Sequence, residues 1–308
     1  MSKNYLALDI GGTFIKYAII DAEAQFVEQG KVPAKTCSEE EMLASLREVR
    51  EAVGTHDYEG VAVSMPGRID TARGWAHTGG AFTWLREYPA AERIQGIFDK
   101  SCTIANDGKC AAMAESWSGS LSDVDSGCVI VLGTGIGGGI VLNGKVWMGC
   151  SGGAGELSWL GANNDAFRNL DTWVDEDMSN AWTGRVSAKS IVGFYGAKKG
   201  LEKGEANGVM LFDAYEAGEQ EAKEVIEEFA TQMAAGIFSL QCVLDLPRYA
   251  IGGGISARPA TTAVVRDKVN QAFDKHPTSI PFSRPQIVTC TYGNEANLIG
   301  ALAFHLQS

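Results

Sequence analysis

Apolar and polar positions along this chain change period several times, and each change marks an element. Residues 6–10 are a short apolar run and residues 13–20 are β-branched and aromatic, so two strands are expected, with Gly11-Gly12 at the reversal between them. A helix is predicted over 39–53, strands over 60–64 and 102–105 with a long loop between, and a helix over 107–117. The opening theme then recurs: an apolar strand from Val129 enters Gly133-Thr134-Gly135 and a second apolar strand leaves it. Ala222, Val225, Ile226, Phe229, Ala230, Met233, Ile237 and Leu240 fall at helical spacing, which predicts one long amphipathic helix with its apolar stripe in a core. Near the end, a strand at 249–252 runs through Gly252-Gly253-Gly254 into a helix-like stretch over 259–273, and residues 294–305 read as a terminal helix. Residues 118–127 are rich in turn formers and are the best candidate hinge.

Three glycine clusters therefore end three strands. Glycine loses more entropy on folding than other residues and buries no side chain, so a ligand that needs close backbone approach is the economical reason for such runs. Backbone N–H groups at such turns suit an anion, and Asp9 sits at the end of the first strand beside the same spot. A carboxylate next to phosphates implies a divalent cation between them. Taken alone, the first turn reads equally as an ordinary hairpin, because Asp and Gly-Gly are common turn residues. Its recurrence favours a nucleotide site. Neither G-x-x-x-x-G-K-[ST] nor a helix-opening G-x-G-x-x-G with its distant acidic residue occurs. Asn106-Asp107, where strand gives way to helix, is the candidate acid–base group, with a helix N-cap as the alternative reading.

These motifs carry a family resemblance. The Asp-Ile-Gly-Gly-Thr hairpin from Asp9, the loop from Gly133 to Gly139 and the Ile-Gly-Gly-Gly run ending at Gly254 resemble the actin-like, hexokinase-like ATPase superfamily, specifically the ROK group of sugar kinases and sugar-responsive repressors. The match continues through Val63-Ser64-Met65-Pro66-Gly67, Asn106-Asp107, Gly153-Ala154-Gly155-Glu156 and Tyr292 to Gly300, and so spans the whole chain. The resemblance implies an α/β protein of two ribonuclease-H-like domains flanking a cleft: a smaller one from 1–118 plus 292–308 and a larger one from 119–291. It implies ATP and Mg²⁺ as cofactors, and transfer of the γ-phosphoryl group to the 6-hydroxyl of a hexose or β-glucoside. In that reading Asp107 accepts the proton of the attacking hydroxyl. Pro66, Gly67, Asn106, Asp107 and Glu156 line the sugar. Asp9 organises the metal, directly or through water, while Gly11, Gly12, Thr13, Lys16, Gly133, Thr134 and Gly135 hold phosphates and Gly252, Gly253 and Gly254 border the adenosine. Trp75, Phe82 and Trp84 could stack on a sugar face or pack in a core.

Departures from the resembling group are informative. Trp159 stands where most members carry a histidine, and no C-x-C or C-x-x-C exists, so their structural zinc site cannot form. Thr183 falls at the place of a second sugar-binding glutamate. This pattern looks most like bacterial β-glucoside kinases, with N-acetylmannosamine kinases and glucokinases of the same group as alternatives and a non-catalytic sugar sensor as an alternative of another class.

Composition changes the picture little. With 308 residues and 45% hydrophobic content, two cores can form. A net charge of −12 disfavours non-specific nucleic-acid binding. With Asp9 already in the first hairpin, the DNA-binding domain that the repressors place ahead of it is not expected here. No signal region or membrane span is evident, and seven scattered cysteines read as buried thiols, so a cytoplasmic enzyme is expected. The expected partners are a sugar and ATP, with neither nucleic acid nor membrane; a homodimer is compatible with the sequence.

Overall fold

The computed structural model describes residues 3–163 and 178–308. The chain divides into two compact units. The first comprises Met1–Gly119, Lys145–Gly155 and Asn294–Ser308, and the second Ser120–Gly144 and Glu156–Gly293.

In the first unit, β1 (Asn4–Ile10), β2 (Phe14–Asp21), β3 (Phe26–Pro33), β4 (Gly60–Met65) and β8 (Ser101–Asn106) form a sheet in the order β3-β2-β1-β4-β8. β1 and β2 pair antiparallel, closing on Ile10 opposite Ile15, whereas β4 and β8 continue the sheet in parallel. Buried on both faces, β1 and β4 are near-continuous apolar runs, as parallel pairing requires. Helix α1 (Glu39–Val53) starts where the Ser38 hydroxyl accepts from the Glu41 N–H at 3.2 Å and ends at Gly54, and it buries Met42, Leu43, Leu46, Val49 and Val53. Between β4 and β8, where the sequence pattern predicts a long loop, the chain forms a small sheet of β5 (Ile69–Asp70), β6 (Trp75–Thr78) and β7 (Arg86–Tyr88), followed by α2 (Ala90–Phe98). Strands of two to four residues are too short to show a period. Phe82 is fully buried there, so it is a core residue rather than a sugar platform.

Helix α3 (Asp107–Ser118) follows β8, and the C-terminal helix α9 (Ala296–Leu306) packs against α3, β4, β1 and β8. The close approach of α3 and α9 depends on Gly300: a Cβ there would fall 1.8 Å from the Cys110 carbonyl oxygen.

The second unit repeats the plan. β9 (Gly127–Leu132) and β10 (Ile136–Leu142) form an antiparallel hairpin; β11 (Lys145–Val146) falls among the residues of the first unit, and strand β12 (Arg248–Gly252) pairs parallel to β9 and β13 (Gln286–Thr289) parallel to β12. Helices α4 (Thr183–Val186), α5 (Ala188–Lys199), α6 (Gly208–Glu216), α7 (Gln220–Leu244) and α8 (Pro259–Lys275) complete it. All eight positions of the predicted stripe on α7 are buried. Buried Gln241 closes that end of the core: its amide donates to the Leu246 and Ser283 carbonyls, and its oxygen accepts from Leu246 N–H and the Tyr249 hydroxyl.

The cysteines do not all sit as the sequence suggested. Cys110 and Cys128 are buried and Cys102 and Cys290 half-buried, but Cys37, Cys150 and Cys242 are exposed, because a single thiol costs little at a surface and local apolarity does not fix burial. Among the described residues no helix is long and apolar enough to cross a membrane.

Candidate active site

The first unit carries two carboxylates at the ends of β1 and β8, strands that flank β4 in the sheet. Asp9 lies one residue before the end of β1 and is 8% exposed. Its Oδ1 accepts hydrogen bonds from Ser64 Oγ at 3.3 Å and from Asn297 Nδ2 at 3.0 Å, while Oδ2 lies 3.4 Å from the ammonium of Lys16. Lys16 thus faces Asp9 across the hairpin, where the two are register partners. The turn itself is tight: Gly11 N–H donates to the Phe14 carbonyl at 3.0 Å, and a Cβ on Gly12 would meet Ala81 Cβ at 2.9 Å. Gly12 and Thr13 are exposed, so their backbone is open to an anion.

Asp107 is the first residue of α3, and the cap of that helix is Asn106, whose Oδ1 accepts from Lys109 N–H at 3.1 Å. The N-cap alternative therefore applies to the asparagine and not to the aspartate. Asn106 Nδ2 donates both to the Gly67 carbonyl at 2.9 Å and to Asp107 Oδ1 at 3.0 Å, and Gly108 N–H donates to the same oxygen at 2.8 Å. Both amide hydrogens of Asn106 are engaged, so in this arrangement it orders Asp107 and the Gly67 turn. Gly67 has φ 100°, and a Cβ there would lie 2.0 Å from the Thr78 carbonyl oxygen; β6 alone is reason enough for this glycine. Pro66 and Gly67 are half-buried beside it. Trp75 donates its indole N–H to Glu87 and Trp84 to the Thr36 carbonyl, which ties both rings into the unit.

In the second unit, Gly133, Thr134 and Gly135 turn β9 into β10, with Gly133 N–H donating to the Gly135 carbonyl at 2.9 Å and Thr134 and Gly135 exposed. Thr183, which stands in place of a glutamate in the resembling group, is buried and accepts from Ile136 N–H at 3.1 Å, so it supports this hairpin. Gly252 ends β12. Gly253 has φ 94°, and a Cβ on it would come 2.2 Å from the Leu132 carbonyl oxygen, whereas a Cβ on Gly254 would point into open space. Glu156 is exposed and precedes a 3-10 turn at Leu157–Trp159 without capping it. Trp159 is 50% exposed.

Two polar residues of this arrangement escape sequence reasoning, Ser64 and Asn297. Both lie inside the motifs noted above, yet nothing local marks them, because their meeting with Asp9 is made by the packing of β4 and α9 on β1.

Comparison with known proteins adds to this geometry. The model of the ROK family matches residues 5–308. A β-glucoside kinase of Listeria monocytogenes is 29% identical over 302 residues, covering 98% of this chain and 97% of that protein. An N-acetyl-D-glucosamine kinase of Aliivibrio salmonicida is 26% identical, over 98% of this chain and all of that protein. Among solved structures, a ROK family protein from Streptococcus pneumoniae in complex with sucrose superposes with a TM-score of 0.85 at 25% identity, over 99% of this chain and 98% of that one. These matches bear out the α/β, actin- and hexokinase-like fold class read from the sequence.

Proposed function

The chain belongs to the ROK family, and on that premise we propose that it is an ATP-dependent carbohydrate kinase acting on the 6-hydroxyl of a hexose or β-glucoside. The observation that carries this reading is the Asp107 carboxylate at the end of β8, fixed through Oδ1 by Asn106 and by the Gly108 N–H. Phosphoryl transfer asks for positioning and charge stabilisation more than for covalent work by the protein. The sugar oxygen forms a bond to the γ-phosphorus as the bond from that phosphorus to the β–γ bridging oxygen breaks and ADP leaves. Asp107 takes the hydroxyl proton, and a carboxylate of ordinary acidity suffices because the proton is lost late.

The remaining residues take supporting roles in this reading. The turns Gly11-Gly12-Thr13 and Gly133-Thr134-Gly135, exposed at Gly12, Thr13, Thr134 and Gly135, receive phosphate oxygens, and Gly252, Gly253 and Gly254 border the adenosine. Asp9 offers a hard carboxylate oxygen that already faces a cation, the Lys16 ammonium, so the donor chemistry suits Mg²⁺. When bound, Mg²⁺ neutralises charge on the phosphates. Pro66, Gly67 and Glu156 contact the sugar, with Asn106 holding the Gly67 turn in place.

For the acceptor, the half-exposed indole of Trp159 favours a β-glucoside. A tryptophan filling a vacated core volume would be covered, whereas this ring keeps a flat apolar face on which a second sugar ring can stack, worth about 1 kcal/mol. The Listeria β-glucoside kinase and the sucrose-bound Streptococcus protein support an acceptor site that takes more than one ring. Coupled ADP-release assays with Mg²⁺ and ATP over glucose, N-acetylmannosamine, mannose, fructose, cellobiose and gentiobiose test both levels. Turnover on cellobiose or gentiobiose is expected. Preference for a monosaccharide by about a hundredfold in kcat/KM, some 3 kcal/mol, removes the β-glucoside reading, and no sugar-dependent ADP on any member removes the kinase reading in favour of a sugar sensor.

A further inference from the structure

Asp9 is held from an element to which the kinase reading gives no task, the C-terminal helix α9. Asn297, the second residue of α9, donates Nδ2–H to Asp9 Oδ1 at 3.0 Å, and Ser64 Oγ reaches the same oxygen at 3.3 Å from β4. The other oxygen, Oδ2, faces the Lys16 ammonium at 3.4 Å. We propose that Asn297 is a positioning residue for the metal-organising carboxylate: it engages Oδ1 within the protein and so presents Oδ2 to the cation that accompanies the nucleotide phosphates. This rests on the reading of Asp9 given above.

The placement of Asn297 is itself fixed by packing. Gly300 lies three residues further along α9, and its missing side chain lets the helix seat on α3 at the Cys110 carbonyl, where a Cβ would come within 1.8 Å. Helix α3 begins at Asp107. The same α3–α9 contact therefore sets the origin of the helix bearing the base and the donor that orients Asp9. A carboxylate gripped on one oxygen by two donors cannot swing its second oxygen freely, and outer partners of this kind tune metal affinity without touching the metal.

The test uses the full chain. Mn²⁺ is titrated into the protein saturated with ADP and followed by electron paramagnetic resonance, and ADP binding without metal is measured by calorimetry in parallel. Asn297→Ala and Asn297→Ser, the second keeping a small polar residue too short to reach Asp9, are expected to weaken Mn²⁺ binding about tenfold, with metal-free ADP affinity unchanged. In an Asp9→Asn background the further change Asn297→Ala should have almost no effect on Mn²⁺, because the group it orients is gone. A merely structural role would lower the melting temperature and weaken ADP binding with and without metal alike. Mn²⁺ affinity within about twofold of wild type in both single variants, or an equal loss in the Asp9→Asn background, overturns the assignment. A wild-type chain that binds ADP equally well with and without metal overturns the reading of Asp9, and the role of Asn297 with it; sugar phosphorylation is measured separately.

Discussion

Replacing Asp107 by asparagine removes the proton acceptor and little else. In the wild-type chain, Oδ1 accepts from Gly108 N–H at 2.8 Å and from Asn106 Nδ2 at 3.0 Å. A carboxamide has nearly the same shape as a carboxylate, and its oxygen can take over both bonds. Asn106 stays tied to the Gly67 carbonyl at 2.9 Å and keeps its cap on α3 through Lys109 N–H. The fold and the sugar-side turn are thus expected to survive. What is lost is a base, which contributes about 10²- to 10⁴-fold to the rate of a proton-transfer reaction. At about 1.4 kcal/mol per tenfold this is roughly 3 to 5 kcal/mol of barrier. The measurement is kcat by coupled ADP release, with ATP and sugar affinities by calorimetry and the melting temperature as a check on folding. Retention of a tenth of the wild-type kcat would show that Asp107 is not the base. Loss of sugar affinity in proportion to the rate would make it a binding residue instead, since the removed interaction would then be made before the transition state.

Three further outcomes are expected. The purified chain should require Mg²⁺ or a similar hard cation with ATP and hold no stoichiometric zinc, because no cysteine cluster is present to bind it; elemental analysis finding one tightly held zinc per chain contradicts this. Gly253→Ala should destabilise the second unit by at least about 1–3 kcal/mol, since the backbone is at φ 94° and the new Cβ meets the Leu132 carbonyl, whereas Gly254→Ala should leave the urea midpoint unchanged and weaken ATP binding. The Glu39 carboxyl is held below its usual value by the Tyr88 hydroxyl and by Arg93. Its folded-state acidity is raised, so its stabilising contribution is present above the ordinary value of 4.5 and is lost as pH falls through the lower folded value. The difference in melting temperature between wild type and Glu39→Gln should therefore be constant above pH 5 and shrink below about pH 4.5; a pH-independent difference refutes the coupling.

Several features of this protein were readable from its residues because they are local. A strand that ends in glycine and reverses, as at Gly11-Gly12 and Gly133-Thr134-Gly135, announces itself within a few positions, and the stripe from Ala222 to Leu240 repeats often enough to define α7. The junction at Asn106-Asp107 was also visible, although which residue caps the helix was settled only by the bond from Lys109 N–H to Asn106. Other features depend on partners distant in sequence. The strands β5 to β7 are too short to carry a period, and Phe82, in the connection between β6 and β7, joins the core of the first unit. Nothing local separates Gly253 from Gly252 and Gly254 or explains the glycine at 67, yet Gly67 and Gly253 are each required by one carbonyl brought against it, from Thr78 and Leu132. Asp9 and Asn297 stand 288 positions apart, and their hydrogen bond exists because Gly300 lets α9 seat against α3. Sequence thus determined which groups could do chemistry, since that is a property of residue type and local backbone; tertiary packing decided which of them are held still, since that depends on surfaces no local pattern encodes.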